Sequence, residues 1–298
     1  MNTPGDFTTQ IAERIRAKTG KPFEPSSTRA VGGGCINSAM LLADDDSCWF
    51  VKLNRAELLD MFEAEADGLA AMAASASIRV PIPLCTGTAG AQAYIVMEHI
   101  ALGGRSGSGS GTVAGEQLAA MHRTTASLFG WHRDNTIGST FQSNRQHADW
   151  IDFWRRERLA FQLDLAARNG HGGRLAKRGE RLLERFPALI DHAPMPSLLH
   201  GDLWGGNFGI AKDGVPVIFD PACYFGDREA DIAMTELFGG FGADFYTAYQ
   251  AAWPLDDGYR IRKTLYNLYH ILNHLNLFGS GYLSQAEGMI DRLLSETG

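Results

Sequence analysis

The stretch LLHGDLWGGN, residues 198–207, sets Asp202 and Asn207 five residues apart on a segment too rich in glycine for a helix interior, and Asp220 follows thirteen residues later in VIFDPA. Phosphoryl transfer asks for that combination. One carboxylate accepts or orients the attacking hydroxyl, an amide oxygen holds magnesium, and a second carboxylate sits on the metal that bridges the phosphates of ATP. Asp202, Asn207 and Asp220 fit these three roles in that order. Residues 208–219 read as two short strands around the turn Lys212-Asp213-Gly214, so a hairpin returns Asp220 to the neighbourhood of Asn207. Either aspartate alone is as readily a turn cap beside glycine or proline, so the reading needs the other half of a nucleotide site.

That half is sought upstream. In FVKLN, Lys52 interrupts a strand-like run, and on the following helix Phe62, Glu65, Leu69 and Met72 recur at steps of three, four and three. A carboxylate inside an apolar stripe is costly unless a cation meets it, and Lys52 is the candidate. The pair would aim the ammonium at phosphates. Glu63 points about 160° away on the same helix and is the poorer partner. Between two strand candidates lies Gly32-Gly33-Gly34-Cys35-Ile36-Asn37, where a tight turn brings backbone amides against a phosphate. Asn37 stands where GxGxxG has its last glycine, and no GxxxxGK[ST] is present, so P-loop and Rossmann readings fail. Cys35, a thiol on such a loop, reads either as inert or as a redox-sensitive group whose oxidation modulates activity. The histidine–arginine–aspartate triplet His132 to Asp134 has Ser139 five residues on and no metal-binding aspartate behind it, so HGDLWGGN is the better catalytic loop. His132 is left between a surface role and a substrate contact.

Positioning these groups takes a folded scaffold, and 298 residues with 45% hydrophobic content bury a sizeable core. The first helix is expected over residues 7–19, with Asp6 as cap and Gly20 as stop. Strands are expected at Thr28 to Val31, Asn37 to Ala43, Cys48 to Leu53 and Gln92 to Glu98, with a helix from Ala56 to Ala74. Residues 103–111, GGRSGSGSG, read as a flexible connection. Helical periodicity then dominates residues 113–125, 147–170, 173–186 and 259–278, broken by the glycine-rich region 198–228. The reading is an α+β, bilobal chain: a small antiparallel-sheet N-lobe with one main helix over residues 1–100, and a larger helical C-lobe over 101–298. With 27 Lys+Arg against 34 Asp+Glu and no basic run, no nucleic-acid footprint is present. No stretch approaches a membrane span, and the four cysteines lack CxxC spacing, which reads as a soluble, cytoplasmic protein with reduced thiols. Oligomeric state stays open between monomer and homodimer.

Taken together, HGDLWGGN, VIFDPACYFGDREADIAMTELFGGF, FVKLN with MFEAEADGL, WHRDNTIGST and YNLYHILNHLNLFGSGY resemble the fructosamine kinase, or ketosamine-3-kinase, family of the aminoglycoside-phosphotransferase and protein-kinase-like superfamily, over essentially the whole chain. The resemblance implies a protein-kinase-like fold and ATP- and Mg2+-dependent phosphorylation of the 3-hydroxyl of a ketosamine, free or protein-bound, after which the phosphate leaves by elimination and the amine is freed. It makes Asp202 the base, Asn207 and Asp220 magnesium ligands, and Lys52 with Glu65 the phosphate-binding pair. Gly32, Gly33, Gly34 and Cys35 become the loop over the phosphates. Backbone groups of Glu98, His99 and Ile100 become the hinge that meets adenine. Asp231 looks like the brace of the catalytic loop, with His200 as further support; Trp204 is a candidate substrate contact or a packing residue, and His132 stays a candidate contact beside its surface reading. The rivals are a kinase of another hydroxyl compound, such as an aminoglycoside, choline or a sugar, and a non-catalytic nucleotide-binding protein.

Overall fold

The computed structural model describes residues 4–32, 36–103, 109–239 and 241–297. Gly33, Gly34 and Cys35, and with them the thiol expectation, lie outside the described residues. The first helix, α1 (Pro4–Thr19), starts ahead of Asp6, which therefore falls inside the helix and is not its cap. Gly20 does stop it, at a φ of +68° that favours glycine. Strands β1 (Ser27–Val31), β2 (Ser38–Ala43), β3 (Cys48–Arg55), β4 (Pro83–Ala89) and β5 (Gln92–Glu98) form one antiparallel sheet in the order β1-β2-β3-β5-β4. Helix α2 (Leu59–Ala74) links β3 to β4 after a single 3-10 turn. The sequence reading lacks β4, because Pro83 and Gly87 in PLCTGTA weaken its strand pattern.

Alternation along β3 and β5 sorts the side chains between two cores. Val51, Leu53, Tyr94 and Val96 pack with Ile11 and Ile15 of α1 on one face. Ala93, Ile95 and Met97 on the other face join Phe62, Leu69 and Met72 of α2, in an apolar cluster continuous with the helical half. Lys52 falls on that second face by the same period.

The helical half begins at α3 (Ser110–His122), so Ser110 and Gly111 of the glycine–serine segment are its first turn. A hairpin of β6 (Asn135–Ile137) and β7 (Thr140–Gln142) follows. Helices α4 (Trp150–Phe153) and α5 (Phe161–Arg168) are joined by a π-helical stretch over Trp154–Ala160, and α6 (Arg174–Arg185) comes next. Then come β8 (Ser197–Leu199), the hairpin β9 (Phe208–Ile210) and β10 (Pro216–Ile218), and β11 (Tyr224–Gly226), which returns to β8. The chain ends with α7 (Glu229–Thr235), α8 (Ala243–Ala252), α9 (Tyr259–Phe278) and α10 (Leu283–Ser295). The sequence reading lacks α7, α8 and α10. All seven residues of α7 are buried, so it carries no amphipathic stripe. Among the described residues no helix is long and apolar enough to cross a membrane.

Candidate active site

Lys52 on β3 is 6% exposed, and its Nζ lies 2.6 Å from Oε1 of Glu65 on α2 while also donating to Oδ1 of Asp220. Burial opposes the ammonium charge, but the two carboxylates outweigh it and hold Lys52 above its usual range. Burial likewise pushes the Glu65 carboxyl up, with Lys52 pulling it back in part. The expected strand–helix pair is therefore formed, and it closes on the C-terminal half through Asp220.

Three ties build the loop that carries Asp202. From α7, Asp231 accepts the His200 N–H at 2.7 Å on Oδ2 and the Gly201 N–H at 2.8 Å on Oδ1. Behind it, His122 of α3 places Nε2 3.2 Å from Asp231 Oδ2 and Nδ1 2.8 Å from the Tyr249 hydroxyl. Burial works against the Asp231 charge, yet His122, with His200 and the Gly201 amide, holds its carboxyl below the usual range. His200, which burial keeps neutral, supplies the second tie. Its Nε2 lies 2.9 Å from the Phe219 carbonyl, which can only accept, so Nδ1 is left to accept the Asp202 N–H at 3.2 Å. One imidazole thus fixes Asp202 against the residue preceding Asp220. The third tie is Asn207, whose Nδ2 donates to the Asp202 carbonyl at 2.9 Å and to Asp202 Oδ2 at 3.2 Å. Its amide oxygen accepts no hydrogen bond among the described residues. The hairpin reading holds: β9 and β10 bring the Phe219 N–H to the Asn207 carbonyl at 3.1 Å.

Two backbone positions show what the arrangement costs. Asp220 sits at a φ of +59°, a region non-glycine residues adopt at a cost of about 1–3 kcal/mol and mostly at functional sites. Gly201 has a φ of +82°, and a Cβ there would stand 2.1 Å from the Ala222 carbonyl oxygen. Gly201→Ala is therefore expected to cost about 3 kcal/mol or more in urea unfolding, through strain and loss of the Asp231 contact. A midpoint equal to the parent's would show that the loop relaxes freely.

Asp202 faces a cavity of about 880 Å3 shared with Lys52, Glu65, Asn207 and Asp220. Burial and the Asp220 charge, against the opposing Asn207 hydrogen bond, push its carboxyl up to about 7. Gly32, Glu98, His99 and Ile100 line the same cavity. The Glu98 N–H is donated to the Ile82 carbonyl at 2.9 Å and its carboxylate pairs with Arg79 at 3.0 Å. Trp204 lines the cavity at 37% exposure, its indole 6.4 Å from the Phe238 ring.

His132 sits at the surface, one of the two roles left open to it. It does not line the cavity; its Nε2 is 2.7 Å from Asp67 on α2, and the ring is 60% exposed. The residues that do reach in from this region are Asn135, Thr136, Ile137 and Gly138, three to six positions on, because β6 and the turn after it, and not the WHRD segment, project there. Asp227 also stands apart, held by His192 Nε2 at 2.8 Å and by the Tyr266 hydroxyl. Sequence reasoning missed a wall of α9 and the turn after it, His270, Asn273, His274, Phe278 and Tyr282. The only signal was that NLYHILNHLNLF carries two histidines and three asparagines within an otherwise apolar helix, Asn273 and His274 lying three and four residues after His270.

The geometry has clear relatives. The family profile described as "Fructosamine kinase" matches residues 7–296. A probable ketoamine kinase of Synechocystis sp. is 48% identical over 99% of both chains. A chloroplastic protein-ribulosamine 3-kinase of Oryza sativa is 45% identical over 92% of this chain and 81% of its own. Among solved structures, a Haemophilus somnus protein provisionally named fructosamine-3-kinase superposes with a TM-score of 0.89 at 29% identity, covering 97% of this chain and 98% of that one. An aminoglycoside phosphotransferase solved with ADP and hygromycin B gives 0.63 at 15% identity over 96% of this chain and 98% of its own, which shows a common protein-kinase-like fold. A match spanning nearly every residue, on a chain whose Lys52, Glu65, Asp202, Asn207 and Asp220 converge on one cavity, places this protein in the fructosamine kinase family.

Proposed function

We propose that the protein is an ATP-dependent ketosamine kinase that phosphorylates the 3-hydroxyl of sugar adducts on amines, in the cytoplasm, so that the modified amine is released. The observation that carries the choice of acceptor is the lining of the cavity. Its four carboxylates, Glu65, Glu98, Asp202 and Asp220, all lie with the nucleotide-side residues or at the reacting centre, while the far wall offers histidine, asparagine and aromatic rings. A polycation such as an aminoglycoside needs an acidic wall; a neutral polyol with one amine does not.

The residues fit magnesium. The unengaged Asn207 amide oxygen and the Asp220 carboxylate are the hard oxygen donors it takes. Held by these two residues, the ion would supply positive charge that offsets the charge of the ATP phosphates. Asp202 accepts the proton of the acceptor hydroxyl as its oxygen bonds to the γ-phosphorus and the bond to the bridging oxygen of ADP breaks. Lys52, steadied by Glu65, donates to the phosphates, and apolar Val31, Ala39 and Val217 enclose the adenine end.

Mass-spectrometric detection of phosphate transfer from Mg-ATP to fructosyl-lysine, ribulosyl-lysine, an aminoglycoside and choline tests the reading. Transfer to a ketosamine, lost in Asp202→Ala, is the expected result; transfer only to another acceptor discards the ketosamine function. A base pushed up to about 7 also sets a pH limb. Because Asp202 acts deprotonated, kcat/KM is expected to climb about tenfold per pH unit below 7 and to level above it. A flat profile from pH 5 to 8 would remove Asp202 from proton transfer.

A further inference from the structure

The wall formed by α9 takes no part in the chemistry above, yet it holds a group that lacks a partner. His270 is 4% exposed and lines the cavity, and neither of its ring nitrogens makes a hydrogen bond among the described residues. A polar side chain so enclosed is costly unless something hydrogen-bonds to it. Burial pushes its imidazole down to about 3, so it is neutral at working pH, with one donor and one acceptor nitrogen, which matches a hydroxyl. Three, four, seven and eight residues on, the same helix face presents Asn273, His274, Leu277 and Phe278 to the cavity.

Beyond His270 the wall becomes aromatic. The His274 Nδ1 lies 2.8 Å from the His270 carbonyl, which can only accept, so this nitrogen donates; burial pulls the imidazole below its usual range, against that hydrogen bond. Its ring stands 4.6 Å from Phe238, 5.4 Å from Phe278 and 5.2 Å from Tyr282. Through Phe238 the series of rings reaches Trp204 of the catalytic loop. At the mouth Phe278 is 58% exposed, apolar surface of the kind that marks a binding site. With no carboxylate at this end, a cationic nitrogen would be met by ring faces.

We infer that this wall of α9 sets acceptor specificity: His270 hydrogen-bonds a hydroxyl of the sugar-derived part of the ketosamine, and the rings of His274, Phe278, Tyr282 and Phe238 take the aliphatic chain on its nitrogen, as in a lysine-borne adduct. The inference rests on the ketosamine kinase reading. It is tested by steady-state kinetics with Mg-ATP on fructosyl-lysine and on 1-amino-1-deoxyfructose, which carries the same sugar part and no chain, with thermal melting to confirm folding. The parent is expected to favour fructosyl-lysine. His270→Leu should raise the KM of both acceptors about tenfold and leave the KM of ATP unchanged, with part of the loss recovered in His270→Asn. Phe278→Ala should shrink the preference for fructosyl-lysine about three- to tenfold. An unchanged acceptor KM in His270→Leu, or an equal effect of Phe278→Ala on both acceptors, overturns the inference while the kinase reading stands. A parent that phosphorylates neither ketosamine but transfers to another alcohol overturns the ketosamine reading on which the inference rests.

Discussion

Asp202→Asn is expected to lower kcat by about 10³-fold or more while making the protein more stable above neutral pH. The first effect follows from the loss of the carboxylate that, alone among the described residues, both lines the cavity and is tied into the Asp202 loop by its own backbone N–H. Asparagine keeps the shape and still accepts from Asn207, so the loop geometry survives without a base. The second effect follows from the direction of the Asp202 shift. Burial and the neighbouring Asp220 move its carboxyl from 3.8 up to about 7 in the folded protein. The protonated form is thus the one the fold favours: the associated stability is fully present below 3.8 and is lost as pH rises through about 7. At pH 8 the parent carries a buried carboxylate beside another, and asparagine removes it. A gain on the order of 2 kcal/mol at pH 8, shrinking toward pH 4, is expected in urea unfolding. A variant that is inactive but no more stable at pH 8 than at pH 4 would mean that Asp202 ionises without cost.

How far the site could be read beforehand depended on whether each residue broke a local pattern. Lys52 interrupts an apolar strand and Glu65 an apolar stripe, and such interruptions demand a partner, which is why their pairing was legible. The Lys212-Asp213-Gly214 turn between two short strands predicted the return of Asp220 toward Asn207, and the hairpin does that. The role of His132 stayed open between surface and substrate because a familiar triplet says nothing of which way its loop projects. The α9 wall was hidden for another reason. From Leu265 to Leu275 all but one residue of that helix is buried, so His270 sits in no polar stripe and reads like a core histidine. Likewise β4 is held by its ladder to β5 and α7 by tertiary burial, not by local propensity, and their sequences PLCTGTA and EADIAMT carry little signal of either element.

Lys52→Met should separate the electrostatic role of the ammonium from its structural one. The side chain keeps most of its length in a nearly closed setting, so what is removed is the charge between Glu65 and Asp220. Donors aimed at charge that develops in the transition state are typically worth 10²–10³ in rate, and a loss in kcat of about that size is expected, with a smaller rise in the KM of ATP. The fold should also suffer, because Glu65 is left buried without its cation and Asp220 loses a partner it holds at strained backbone. Breaking a buried pair by removing one partner costs about 3–5 kcal/mol, and protonation of Glu65, already pushed up by burial, brings this toward the lower end. The decisive comparison is the double variant Lys52→Met/Glu65→Gln, which removes the orphaned charge. It is expected to recover most of the stability in urea unfolding and none of the activity. Recovery of both would make Lys52 a structural cation that answers Glu65; recovery of neither would mean that the Lys52–Asp220 contact, which crosses between the sheet and the catalytic half, is what the fold requires.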